Sequence, residues 1–170
     1  MIDDCKAFLE SQIKALSQYD DSNVFYNEMK RDFLKDNDYA VLYGLAKDTK
    51  TPTGRKVHRE KNSDGTAYTY IIQRYRRVLI YRIIFHAPDD DILDTITEDF
   101  EQAIAEVKKI YSGGIEVKVI LDDTVRNQEK RDRRLRRPEK AIVRISFEGG
   151  LYVRKDTPII QDVNIQVKED

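Results

Sequence analysis

A chain of 170 residues and 20.0 kDa, 40% apolar and 36% charged, has apolar area for one core while keeping much of its length in water. Thirty basic against 31 acidic residues leave a formal net charge of -1, which excludes chain-wide attraction to nucleic acid and restricts phosphate contacts to local patches. No apolar run approaches the ~18 residues of a membrane span, and Met1-Ile2-Asp3-Asp4 begins no basic-then-apolar signal peptide, so a soluble protein made in a cytoplasm is expected.

Residues 2–17 predict an amphipathic helix. The apolar positions Ile2, Cys5, Leu9, Ile13 and Leu16 recur at three and four, leaving Lys6, Glu10 and Lys14 for water. Cys5, the single cysteine, lies on that stripe and reads as a buried structural thiol. The segment 18–37 is polar and ambiguous. Tyr39-Ala40-Val41-Leu42-Tyr43 then gives a buried strand over 38–46.

Pro52 and Gly54 mark a turn-rich stretch, and Asn62-Ser63-Asp64-Gly65 is a hairpin signal because Asp-Gly accepts the positive backbone angles of a tight turn. The second arm runs without a breaker from Thr66 to His86. Fully extended at ~3.3 Å per residue it would measure ~65 Å, well beyond the usual strand of ~3–10 residues. Either a bend near Arg76-Arg77 divides it, or a hairpin over 53–86 projects from the core.

After Pro88, the positions Ile92, Ile96, Phe100, Ala103, Val107 and Ile110 form one face of a helix reaching Tyr111, ended by Gly113-Gly114. Ile115–Leu121 alternates as a strand. Residues 141–147 and 151–154 suggest a hairpin across Gly149-Gly150, and a last strand covers 159–167. The whole predicts one α+β domain over 1–170: a mostly antiparallel sheet, two principal helices, a long β-hairpin and a charged loop at 122–139.

Three sites carry possible chemistry. Asp89-Asp90-Asp91 precedes the second helix, where carboxylates cap free N–H groups and complement the helix dipole. On paper Asp89 with Glu116 and Lys118 also spells the Pro-Asp and Glu-x-Lys pattern of Mg²⁺-dependent nucleases, whose two motif parts usually sit on neighbouring strands; here a helix intervenes. His58 and His86 have no paired metal-ligand spacing, and no cofactor motif is present.

The second site is 126-RNQEKRDRRLRR-137, with seven basic and two acidic residues: Arg126, Lys130, Arg131, Arg133, Arg134, Arg136 and Arg137 could meet phosphate or a protein, but no aromatic is there to stack on bases. The third is the hairpin arm. Tyr68, Tyr70 and Ile72 share one face and Arg74, Arg76 and Arg77 follow, a gradient from apolar to basic. A ribbon of two strands is unstable alone and calls for another surface, such as an identical subunit.

The order of Ile2–Leu16, Tyr39–Leu45, Arg76–Phe85, the helix Ile92–Tyr111 and the closing 141-AIVRISFEGGLYV-153 resembles phage tail-terminator or tail-completion (neck) proteins. That resemblance implies a structural, non-enzymatic prophage or phage protein of tail termination or head-tail joining. It would be a homo-oligomeric ring, often a hexamer, in the virion tail after assembly in the host cytoplasm. Its partners would be tail-tube and head-connector proteins, with DNA met through a lumen or the basic loop. The alternatives are the nuclease and a generic protein-interaction domain.

Overall fold

The computed structural model describes residues 1–30, 32–126 and 139–158. Its elements are α1 (Ile2–Lys14), β1 (Val24–Tyr26), α2 (Phe33–Asp36), β2 (Ala40–Lys61), β3 (Ala67–Ala87), α3 (Asp90–Glu106), β4 (Lys109–Ser112), β5 (Ile115–Arg126) and β6 (Glu139–Pro158). The class is α+β as predicted: a mostly antiparallel six-stranded sheet ordered β1-β2-β3-β6-β5-β4, with α1 and α3 as principal helices and β2–β3 as a long hairpin. β1 is the parallel exception, Val24 to Tyr26 pairing with Val41 to Tyr43.

The chain divides into two compact units. One comprises Met1–Lys50 and Arg77–Gly149, the other Thr51–Arg76 and Gly150–Asp170. β2, β3 and β6 each contribute residues to both.

The buried core belongs to the first unit. β3 delivers Leu79, Tyr81, Ile83, Phe85 and Ala87 to one face by strict alternation, and β6 delivers Ala141, Val143, Ile145 and Phe147 in the same way. Cys5, Leu9 and Ile13 of α1 and Leu93, Ile96, Phe100 and Ile104 of α3 cover that face. Aromatic edges lock the layers: Phe85 meets Phe100 with centroids 5.0 Å apart, and Phe147 meets Tyr81 at 5.6 Å. Each such large buried side chain is worth ~1.5–3 kcal/mol relative to exposure.

α3 ends at Glu106, earlier than its apolar period implies. Lys109–Ser112 instead forms β4, antiparallel to β5, with Ile110 opposite Val117 and Ser112 opposite Ile115. The cause is Gly113-Gly114, whose φ values of 57° and 79° make a tight hairpin turn that demands a strand on each side. The second glycine pair behaves oppositely. Gly149 and Gly150 lie within a continuous β6, so the hairpin predicted there does not form.

Those two glycines answer to close neighbours. A Cβ on Gly149 would stand 3.2 Å from Val117 Cγ2 and 3.1 Å from Met1 Sδ, and one on Gly150 would stand 2.7 Å from Gln73 Nε2. β2 likewise runs through Pro52 and Gly54, where a turn was expected, with φ of 59° at Gly54. β3 is unbroken across Arg76-Arg77, although the boundary between the units falls there. The predicted strand at 159–167 lies outside the described residues.

Candidate interaction surface

In the second unit the chain makes a hairpin whose turn is built as its sequence demands. Asp64 Oδ1 accepts from the Thr66 N–H at 3.0 Å and from Thr66 Oγ1 at 2.8 Å, and Gly65 takes φ of 74°. The Asn62 N–H donates to the Ala67 carbonyl at 3.0 Å, while Asn62 Oδ1 accepts from the Ala67 N–H at 2.9 Å. Lower down, Thr53 Oγ1 donates to the Gln73 carbonyl and Thr69 Oγ1 to Asp156 Oδ1, both at 2.6 Å, the latter joining β3 to β6.

Among the described residues these strands have no second layer within the unit. Of residues 51–76 and 150–157, Gly150 alone is buried, and it has no side chain. Val57 and Leu151 remain 52% and 54% exposed. Among the described residues, the β2, β3 and β6 segments of this unit form a sheet with no buried side chain.

On it, Tyr68 and Tyr70 stand 6.3 Å apart, as their period-two spacing predicts. Cations from the opposite strand cover them: the Arg59 guanidinium lies 3.6 Å from the Tyr68 ring centre and Lys56 Nζ lies 4.5 Å from that of Tyr70. Arg59 and Lys56 escaped the sequence reading, though folding 55–61 back on 67–73 about the Asp-Gly turn puts a basic arm beside an aromatic one. Such contacts contribute ~0.5–1 kcal/mol each at exposed sites and make the hairpin at once rigid and positive. Ile72 is half-buried, and Arg74 and Arg76 are exposed.

Arg77 belongs to the first unit, where it binds Asp48 through two hydrogen bonds. Arg126 is the last residue of β5, its backbone paired with Ala141. Lys130, Arg131, Arg133, Arg134, Arg136 and Arg137 lie outside the described residues.

The three residues of the nuclease pattern have separate occupations. Asp89 caps α3, its Oδ1 accepting from the Ile92 N–H at 2.9 Å, and Asp90 and Asp91 fill the first turn. The three aspartates are thus a helix start. Glu116 pairs with Lys109 at 2.9 Å, and Lys118 lies opposite that same lysine in the β4–β5 register. Among the described residues, no group of three or more His, Cys, Asp or Glu side chains is arranged to hold a metal ion.

Other reactive groups are inert by burial. Cys5 is fully buried and its thiol is pushed up to about 11, chiefly by desolvation, so it is no nucleophile. His86 is 8% exposed and pushed down to about 4, first by burial and then by Lys140. A cleft of about 300 Å³ is bordered by Asn27, Leu42, Tyr43, Arg82 and Ile84, with Arg82 its one charged group.

No protein-family model matches the chain, nor does any curated protein. Among solved structures it is similar to the sheath/tube terminator of an extracellular contractile injection system, PVC, seen in its extended state by cryo-electron microscopy. The TM-score is 0.47 at 11% identity, and the match covers 100% of this chain and 64% of that one. This chain therefore spans just under two thirds of that protein's length. Among the described residues, no helix is long and apolar enough to cross a membrane.

Proposed function

We propose that this chain is a structural subunit of tail termination or head-tail joining in a phage, prophage or related particle, and that copies join into a ring through the hairpin of the second unit. The observation that carries the assembly half of this reading is the uncovered sheet of 51–76 and 150–157, in which no side chain is buried. A sheet without a packed face gains almost no hydrophobic stabilisation and calls for a surface to lie against. The placement in a tail rests on the order of elements in the sequence. In this reading the sole protein family of partners is structural: other copies, a tail tube, and a connector.

Light scattering coupled to size exclusion tests it, with electron microscopy of the same fractions. The wild-type chain is expected to run as a ring-sized oligomer. Removal of Arg55–Thr69, with the strands rejoined by Asn-Gly, should give a folded species of lower mass. A monomer at every concentration, or an oligomer indifferent to the deletion, would contradict the reading.

A further inference from the structure

The hairpin and helix α3 carry opposite charge to an extent that local structure does not require. Between Thr51 and Arg76 there are six basic residues against two acidic ones. Arg55, Lys56, Arg59, Lys61, Arg74 and Arg76 are all exposed. The sequence of α3, DDILDTITEDFEQAIAE, has seven carboxylates and no basic residue. At 100° per residue its buried positions occupy one arc and every carboxylate falls on the other.

That acidic arc costs the helix stability. Asp90 and Asp94, and Asp94 and Glu98, stand at i,i+4, and Asp91 and Asp94, and Glu98 and Glu101, at i,i+3. Like charges at these spacings oppose the helix by ~0.2–0.5 kcal/mol per pair. Asp89, Asp90 and Asp91 are repaid by the positive end of the dipole, but Glu106 sits at the negative end, where the last turn has no basic residue. Glu101 is engaged by Thr124 Oγ1, whereas Asp90, Asp91, Glu98, Asp99 and Glu106 are exposed. Within α3 no basic residue supplies a countercharge, and its exposed carboxylates are open to a cationic partner.

We infer that the basic hairpin of one copy docks along the acidic face of α3 on a second copy of this chain. The inference rests on the proposed self-assembly and adds the receiving surface. The arm is long enough to run the whole helix: α3 is ~26 Å long at 1.5 Å per residue, and the 11 residues of Thr51–Lys61 extend ~36 Å. Hairpin and helix are different patches, so the contact is heterologous. Each copy gives one hairpin and receives one, an arrangement that makes a ring where the rotation per step closes and a filament where it does not. Arg59 and Lys56, already held over Tyr68 and Tyr70, are presented with little side-chain freedom left to lose.

Charge reversal tests this in the full chain. Arg55→Glu with Lys61→Glu, and separately Glu98→Lys with Glu106→Lys, should each weaken self-association at least ~10-fold, read by light scattering over a concentration series. Mixing the two variants should restore the wild-type mass, because reversed hairpin then meets reversed helix and native meets native. Restoration also proves both variants folded. The neutral pair Glu98→Gln with Glu106→Gln should fall between. If the helix variants keep the wild-type mass while the hairpin deletion dissociates, this inference fails and the proposed assembly stands. If the wild type is monomeric, both fail. If reversing the hairpin abolishes binding of a fluorescent DNA oligonucleotide and leaves the mass unchanged, the hairpin is a nucleic-acid contact and the inference is overturned.

Discussion

Arg77 grips Asp48 with both ends of its guanidinium fork, Nε on Oδ1 at 3.0 Å and Nη2 on Oδ2 at 2.7 Å. The pair is 24% and 30% exposed, and Arg77 is the first β3 residue of the first unit. Arg77, expected to face a partner, fixes β2 to β3 inside its own unit. The guanidinium holds the Asp48 carboxyl below its ordinary value of 3.8.

Asp48→Asn should therefore cost ~0.5–1 kcal/mol at neutral pH, the discount for partial exposure included. A group with a depressed folded value stabilises above the unfolded value and loses that contribution as pH falls through the folded one. Urea unfolding at pH 7 and in strong acid should show the two proteins differing at the first and converging at the second. Equal midpoints at pH 7 would show the pair to be inert.

His86 works at higher pH. Its folded value of about 4 lies below the ordinary 6.5, so the unfolded chain takes up the proton first. Stability should fall as pH drops from about 6.5 to about 4, by up to ~3 kcal/mol if the histidine stays buried throughout. His86→Phe should flatten this slope while the acid limb below pH 4 remains. A slope unaltered by the substitution would assign it to other groups.

Gly149 and Gly114 should respond differently to alanine. At Gly149 the added methyl crowds Val117, itself 1% exposed, and a cost of ~1–3 kcal/mol in thermal unfolding is expected. At Gly114 nothing lies within 4 Å, and the penalty comes from φ of 79° alone. The Gly149→Ala cost should shrink when Val117 is also trimmed to alanine, whereas the Gly114→Ala cost should not.

Glu116→Gln separates a structural chain from a nuclease. It removes a surface partner of Lys109, so the melting temperature and oligomeric mass should stay unchanged. Neither the wild type nor the variant is expected to nick plasmid DNA with Mg²⁺. Cleavage by the wild type that the variant loses would reinstate the metal site.

Legibility in the sequence followed the reach of the signals. Alternation along Leu79–Ala87 and Ala141–Phe147, and the α3 stripe from Leu93 to Ile104, are local patterns and were readable. The end of α3 was not, since Val107 and Ile110 continue the helical period and only the turn at Gly113-Gly114 recruits them to a strand. The two Gly-Gly pairs show the same limit, because steric crowding by Val117 or Gln73 is set by residues far along the chain. Of the candidate surface, Tyr68 and Tyr70 followed from period two, while Arg59 and Lys56 needed the hairpin register. The acidic arc of α3 is fully legible in DDILDTITEDFEQAIAE, of which the capping and first-turn roles of Asp89, Asp90 and Asp91 explain only the start.

Beyond Tyr43, β2 has no described strand on its outer side, for β1 pairs only as far as that residue. A long unpaired strand is ordinarily a template on which newly made chains stack into fibres. This one is poorly suited to that. Pro52 lacks a donor, Gly54 turns the backbone to positive φ, and lysines recur at Lys47, Lys50, Lys56 and Lys61. The interruption at Pro52 and Gly54, with the lysines around it, is of the kind that disfavours edge-to-edge stacking along the open stretch 44–61.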